Sequence, residues 1–231
     1  MDGGAPSARP PVAVARMPRS GGRLPRIPEM TVRRLSVYFR CLAQLEEDGV
    51  KTISSQELAA RFHLNSAQVR KDLAYFGEFG IRGIGYDTAV LRGEIQRILG
   101  LDREWRVVLV GFGNLGSALF HYRGFARQGF RIAAIVDDDP AKVGRSVNGL
   151  AIEALAELPR VVKGQAIQIG VIAVPAEAAQ SVADRLVAAG VRAILNFAPS
   201  RVKVPKDVRL QNVDLSIELE NLSFHLAQGP R

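Results

Sequence analysis

Two clusters of residues in this 231-residue chain have types and spacings that could do chemistry. The first is Gly111-Phe112-Gly113-Asn114-Leu115-Gly116, which follows the apolar run Arg106–Val110 and opens a segment with helical spacing. Between a strand and a helix, the first glycine permits a tight turn and the second lets backbone approach a pyrophosphate. The third lets the helix pack close to the strand. The unpaired N–H groups at the helix start then face the phosphates. Asp137 closes the next apolar run, where an acid accepts hydrogen bonds from the adenosine ribose. Asp138 adds negative potential there. The two acids would repel a 2′-phosphate, so NAD⁺ and NADH are expected rather than NADP(H). The alternative is that Asp137, Asp138 and Asp139 only cap a following helix.

The second cluster is Asn65-Ser66-Ala67-Gln68-Val69-Arg70-Lys71-Asp72-Leu73. Val69, Leu73 and Phe76 share one helical face at i, i+4 and i+7. Ser66, Gln68, Arg70 and Lys71 then face outward or flank the core. Gln and Arg are the side chains that read adenine and guanine edges in the major groove, and Lys71 suits a phosphate. An ordinary solvated helix face fits the same spacing.

Other chemistry has little material. The single cysteine, Cys41, excludes an intramolecular disulfide and a cysteine-rich metal site. His63, His121 and His225 lie far apart, and no proton-transferring group sits obviously at a strand's carboxyl end. Neither a metal site nor an enzyme is expected. A rival reading keeps an NAD-dependent dehydrogenase with an N-terminal interaction module.

The elements that must position these clusters form two sets. A helix is expected from about Thr31 to Glu47. Ser54 followed by Glu57 is a capping box that opens a second helix to Phe62. Asn65 caps the third, with Gln68 at the reciprocal position. Two short helices joined by a tight turn suggest helix-turn-helix. The glycine-alternating segment Phe79–Tyr86 suits a small hairpin or wing, with Arg82, Gly83 and Tyr86 counted among its DNA-facing residues. A helix from about Thr88 to Leu99 precedes the linker. From Trp105 the pattern turns to strands and helices: strands at Arg106–Val110, Arg131–Val136, Ile167–Ala173, Ala193–Asn196 and Val208–Asn212. Helices are expected through about Arg127 and over Glu177–Ala189. Such alternation gives an α/β fold with a Rossmann, doubly wound parallel sheet.

Composition sets the bounds. A 47% hydrophobic and 23% charged chain can bury a sizeable core. No run is long enough to span a membrane, and no signal sequence opens the chain, so a cytoplasmic protein is expected. The net charge of +8 favours a polyanionic partner. Residues 1–28 are rich in Pro, Gly and Arg without periodicity and are expected to be a disordered tail.

Taken together, Ser66 through Tyr86 and Gly111 through Gly116 resemble the Rex family of redox-sensing transcriptional repressors. Asn196-Phe197-Ala198-Pro199 and Asn212-Val213-Asp214 fit as well. The resemblance implies a winged helix-turn-helix domain over 29–102 and a Rossmann NAD(H)-binding domain over 103–212. It also implies a C-terminal helix over 213–231, exchanged within a homodimer. The leucine stripe Leu215, Leu219, Leu222 and Leu226 is compatible with exchange, and equally with a helix docked on its own domain. The resemblance further implies a double-stranded inverted-repeat operator released when NADH binds. An apolar nicotinamide site is expected near Val174, Pro175, Asn196, Phe197 and Ala198. Arg40, Tyr122 and Asp214 match the family's linkage between cofactor and DNA. From spacing alone, Arg40 is a solvated helix residue and Asp214 an N-cap. Leu215 stands where some relatives carry an aromatic residue near the nicotinamide.

Overall fold

The computed structural model describes residues 27–81 and 83–229. The expected disordered tail lies outside the described residues except for Ile27 and Pro28, and so does Arg82. The chain divides into two compact units between Asp102 and Arg103.

The first unit is built on α1 (Glu29–Glu47). Its buried face carries Leu35, Tyr38, Phe39, Leu42 and Leu45, recurring every three or four residues. The short strand β1 (Thr52–Ile53) leads to α2 (Ser55–Phe62), whose N-cap Ser54 forms the expected capping box with Glu57. His63 takes a left-handed conformation and ends α2 (φ 54°). Then α3 (Ser66–Ala74) begins at Asn65, whose side chain accepts from the Gln68 N–H. The Gln68 side chain does not return the bond; it reaches Asp72 instead. Strand β2 (Tyr86–Asp87) pairs antiparallel with β1, and α4 (Thr88–Ile98) packs against α1. The expected wing hairpin is smaller than the spacing suggested. A single antiparallel bridge joins Ile81 to Gly85, with Gly83 in the turn at φ 84°.

The second unit is a seven-stranded sheet in the order β5-β6-β4-β3-β7-β8-β9. The strands are β3 (Trp105–Val110), β4 (Phe130–Asp137), β5 (Ser146–Val147), β6 (Leu150–Ala154), β7 (Ile169–Ile172), β8 (Ala193–Asn196) and β9 (Arg209–Asn212). All neighbours are parallel except the β5–β6 hairpin. Along β3, Val108 and Val110 join the core beneath α7 (Leu158–Gly164) and α8 (Ala176–Ala188). Val107 and Leu109 join the opposite cluster with Leu119 and Phe120. Burial on both faces explains why the strand is apolar throughout rather than alternating.

One expectation needs revision here, and one alternative falls. The helix after the glycine loop is broken. It comprises α5 (Asn114–His121) and α6 (Arg123–Arg127), separated by Tyr122 in an extended conformation (ψ 103°). No helix follows Asp137–Asp139; turns lead into the β5–β6 hairpin, so these acids cap none. That hairpin and α7 were not anticipated. The pairing strand is two residues long, and α7 spans seven with Pro159 in its first turn, too short for periodicity to show. The C-terminal helix is α9 (Leu215–Ala227).

Candidate functional sites

In the first unit, α3 sits on its apolar face: Val69, Leu73 and Phe76 are all buried. Arg70 and Lys71 are exposed and Ser66 and Gln68 half-buried. The Arg70 guanidinium donates to Ser55 Oγ at 2.8 Å, which holds it against the start of α2. Tyr86 is not on the surface. Its ring belongs to the core of this unit, and burial raises its hydroxyl's pKa. It anchors the base of the wing, while Ile81 and Ile84 are the exposed wing side chains.

Spacing alone missed a buried polar cluster under α3. The Asp72 carboxylate accepts from Thr31 Oγ1 (3.1 Å), Arg34 Nε and Nη2 (2.5 and 2.8 Å), Tyr38 OH (2.8 Å) and Gln68 Nε2 (2.8 Å). Burial pushes its pKa up, but the bonds from Arg34, Tyr38 and Gln68 outweigh burial and hold it at about 2. The available signal was a charged residue beside the apolar face, which a helix tolerates only with partners.

In the second unit the candidate cofactor residues meet at the carboxyl ends of the strands. The order reverses between β4-β3 and β7-β8, so the crevice outside β3 and β7 is a topological switch point, where ligands bind in such sheets. The three glycines have separate roles. Gly111 (φ 95°) turns against β7, and a methyl there would lie 2.5 Å from Ala173 O. At Gly116 a methyl would lie 2.0 Å from Gly111 O. At Gly113 it would meet nothing within 4 Å. Gly113 therefore opens onto free space that a side chain would fill, as a pyrophosphate cradle requires. The first α5 hydrogen bond runs from Ser117 N–H to Gly113 O (2.9 Å). No side chain caps this helix start, and the amides of Asn114, Leu115 and Gly116 precede that first bond. These residues fit a dinucleotide.

Asp137 is only 4% exposed. Its Oδ2 accepts from Phe112 N–H (2.6 Å) and its Oδ1 from Asp139 N–H (2.9 Å), with Lys142 Nζ 3.2 Å from Oδ2. Burial raises its pKa, but these bonds prevail and lower it. Lys142 is a partner that spacing did not single out. Asp138 is exposed beside the pair.

Val174 and Phe197 are half-buried, Pro175 exposed and Ala198 buried, all just beyond β7 and β8. Asn196 is fully buried. Its amide donates to Ala198 O (3.1 Å) and Asn212 Oδ1 (3.0 Å), and its carbonyl accepts from Ala198 N–H (3.0 Å). It shapes the Phe197-Ala198 loop from behind rather than facing the crevice.

Tyr122 is 61% exposed and stacks edge-on with Phe125 at 5.1 Å. Asp214 caps α9 by accepting from Ser216 N–H. Arg40 is exposed on α1. No residue of α9 is buried, and its large apolar side chains are 58% to 83% exposed.

Residues 102–200 match a family model described as "CoA binding domain", and residues 26–74 one described as "Putative DNA-binding protein N-terminus". The redox-sensing transcriptional repressor Rex of Streptomyces avermitilis is 52% identical over 214 residues, covering 93% of this chain and 85% of its own. That of Syntrophomonas wolfei is 55% identical over 206 residues, covering 89% and 98%. The chain belongs to the Rex family of redox-sensing transcriptional repressors. A solved structure of the repressor RSP in complex with β-NAD⁺ and operator DNA superposes at a TM-score of 0.85. It is 37% identical and covers 88% of this chain and 94% of its own. The RSP complex with β-NADH gives 0.80 at 36% identity, covering 88% and 96%. Rex proteins are repressors, not enzymes, so the dehydrogenase reading finds no support in the relatives. Among the described residues no helix is long and apolar enough to cross a membrane.

Proposed function

We propose that this Rex-family chain works as a cytoplasmic homodimer that holds an inverted-repeat operator while NADH is scarce and releases it when NADH binds. One observation carries the reading. A helix with exposed Arg70 and Lys71 beside half-buried Ser66 and Gln68, and a dinucleotide crevice with an open Gly113 cradle, occur in one chain. The RSP complexes with NAD⁺ plus operator DNA and with NADH support both ligands.

The α5 amides of Asn114, Leu115 and Gly116 hold the pyrophosphate, with Gly111 and Gly113 giving the approach and Phe112 tethered to Asp137. Asp137 and Asp138 bind the ribose. Val174, Pro175, Phe197 and Ala198 wall the nicotinamide end, with Asn196 fixing that loop. The bound dinucleotide supplies the redox signal, a ring that is cationic when oxidised and neutral when reduced. An apolar wall penalises an unpaired cation, so these four residues favour the reduced form.

In the other unit Arg70 reads a base, Lys71 and Arg82 hold phosphates, and Gly83 lets the wing turn lie close to the backbone. The exposed apolar α9 supports exchange within the dimer, and Arg40, Tyr122 and Asp214 couple cofactor to DNA. A dimer must meet two half-sites together, so a changed spacing of its recognition helices abolishes binding.

The test is a titration of the purified chain, bound to a duplex selected from a randomised inverted-repeat library. NADH should release the duplex at far lower concentration than NAD⁺. Release by both alike, or turnover of NADH with a small substrate, overturns the reading.

A further inference from the structure

The inward side of α3 carries one group that its apolar packing does not require. Asp72 has no exposed surface, yet it is charged and accepts five hydrogen bonds from four side chains. Three of those side chains lie on α1: Thr31, Arg34 and Tyr38. Replacing a buried ionic cluster by apolar residues is often neutral or stabilising, so stability is a weak reason to keep it. Orientation is a better one.

The fourth donor is Gln68, in the first turn of α3, the part of a recognition helix that meets base edges. A glutamine amide has a donor end and an acceptor end of nearly equal shape. An ionised carboxylate only accepts. Asp72 therefore turns the Gln68 NH₂ group inward (2.8 Å) and sets which way the amide faces. One N–H is spent on Asp72. Oε1 has no hydrogen-bond donor among the described residues. The remaining N–H and Oε1 together match N7 and N6 of adenine in the major groove.

We infer that Gln68 reads an adenine in each half-site and that Asp72 is its positioning residue, holding the amide in the one orientation that presents donor and acceptor correctly. This rests on the proposal that α3 reads DNA, and adds a second base position beside that of Arg70.

The test uses the full chain without NADH and a randomised inverted-repeat duplex library, selected and sequenced. The proteins are the native chain, Gln68→Ala, Asp72→Asn, the double variant, Arg70→Ala and Tyr38→Phe, each with its thermal unfolding. The native chain should select one adenine position per half-site. Gln68→Ala should lower that preference by about tenfold, the value of a bidentate contact. Asp72→Asn offers both donor and acceptor, lets the amide flip, and should weaken the same position several-fold. It should add nothing in the Gln68→Ala background. Tyr38→Phe removes a bond from Asp72 without touching Gln68. It should lower the unfolding temperature and leave the adenine preference intact.

If Asp72→Asn does not fold, Gln68→Asn keeps an amide but draws it back from Asp72. Loss of the adenine position then supports the lock, and retention overturns it. A loss spread evenly over all positions in Asp72→Asn, or an adenine position indifferent to Gln68, also overturns the inference. A motif that answers only to Arg70→Ala overturns it while leaving the DNA reading standing. No enriched motif at all removes both.

Discussion

Changing each glycine of the 111–116 loop to alanine separates folding from cofactor binding. Gly111 has φ 95°, and its new methyl would lie 2.5 Å from Ala173 O and 2.7 Å from Val174 Cγ1. Left-handed backbone costs a non-glycine residue about 1–2 kcal/mol, and overpacking adds about 1–3 kcal/mol. The sum is about 2–5 kcal/mol. At roughly 3–5 °C per kcal/mol for a unit of this size, Tm should fall by roughly 6–25 °C. Gly116→Ala meets backbone at 2.0 Å and should fall at least as far. Gly113 differs, with an ordinary negative φ of −85° and an open surround. Alanine is a poorer N-cap than glycine by a few tenths of a kcal/mol or more, but it restricts the unfolded chain by about 0.4–1 kcal/mol. The two nearly cancel, so Tm should hold within a few degrees. The methyl fills the space reserved for the pyrophosphate, so affinity for NADH and NAD⁺ should drop at least tenfold together. Differential scanning calorimetry and ligand fluorescence titration read the two effects. A Gly113→Ala protein that binds both dinucleotides normally would refute the cradle, and a stable Gly111→Ala protein would refute the steric argument.

Three further outcomes are expected. Arg70→Ala should cost roughly 1–3 kcal/mol of operator affinity and relax one base pair per half-site, while Lys71→Ala should weaken all duplexes alike and flatten the salt slope by about one; binding across a salt series checks both. Asp72 has its pKa lowered from 3.8 to about 2 in the folded chain. Its stabilisation, about 2 kcal/mol by linkage, is therefore present above pH 4 and lost as pH falls through 2. Acid unfolding of Asp72→Asn should lack that component, and an unchanged acid limb would contradict it. Leu219→Asp with Leu222→Asp on α9 should shift the chain from dimer to monomer by light scattering and abolish operator binding; a dimer that persists would place the interface elsewhere.

Legibility in the sequence followed length and locality. Ser54 with Glu57 and Asn65 before α3 are caps made within one turn, and they could be placed to the residue. The central strands β3, β4, β7 and β8 are apolar runs and were equally plain, whereas β6 was missed. The break at Tyr122 was not, because no proline or glycine stands at that position and helical spacing continues through it. Burial of Tyr86 depends on α1 and β1, which lie far away in sequence. Asp72 meets its α1 partners across 34 to 41 positions, and a period of 3.6 says nothing about a partner on another helix. Asn196 shows the same limit. It is expected near the nicotinamide, but its bonds to Ala198 and Asn212 turn it inward.

The bonds of Asp137 bear on how a redox signal is read at all. The carboxylate is tethered to the glycine loop through Phe112 and to Lys142, so its bonds are in place without a ligand. Oxidised and reduced dinucleotides are identical at the ribose end, and a common site contributes equally to both. A ligand shifts a two-state equilibrium only by its differential affinity for the states. Reversing a 1:99 population to 99:1 takes about 5.5 kcal/mol of difference. Contacts at either end of a ligand can contribute to that difference between states, but on the proposed binding mode Asp137 and Gly111–Gly116 cannot separate NADH from NAD⁺. The proposal assigns that separation to Val174-Pro175 and Phe197-Ala198, beyond β7 and β8, where apolar walls would meet a ring whose charge changes. The proposed binding mode divides the labour: in it the glycine loop and Asp137 set how tightly any dinucleotide is held. In the same proposal the loop braced by Asn196 decides whether the reduced form is the one that moves the dimer.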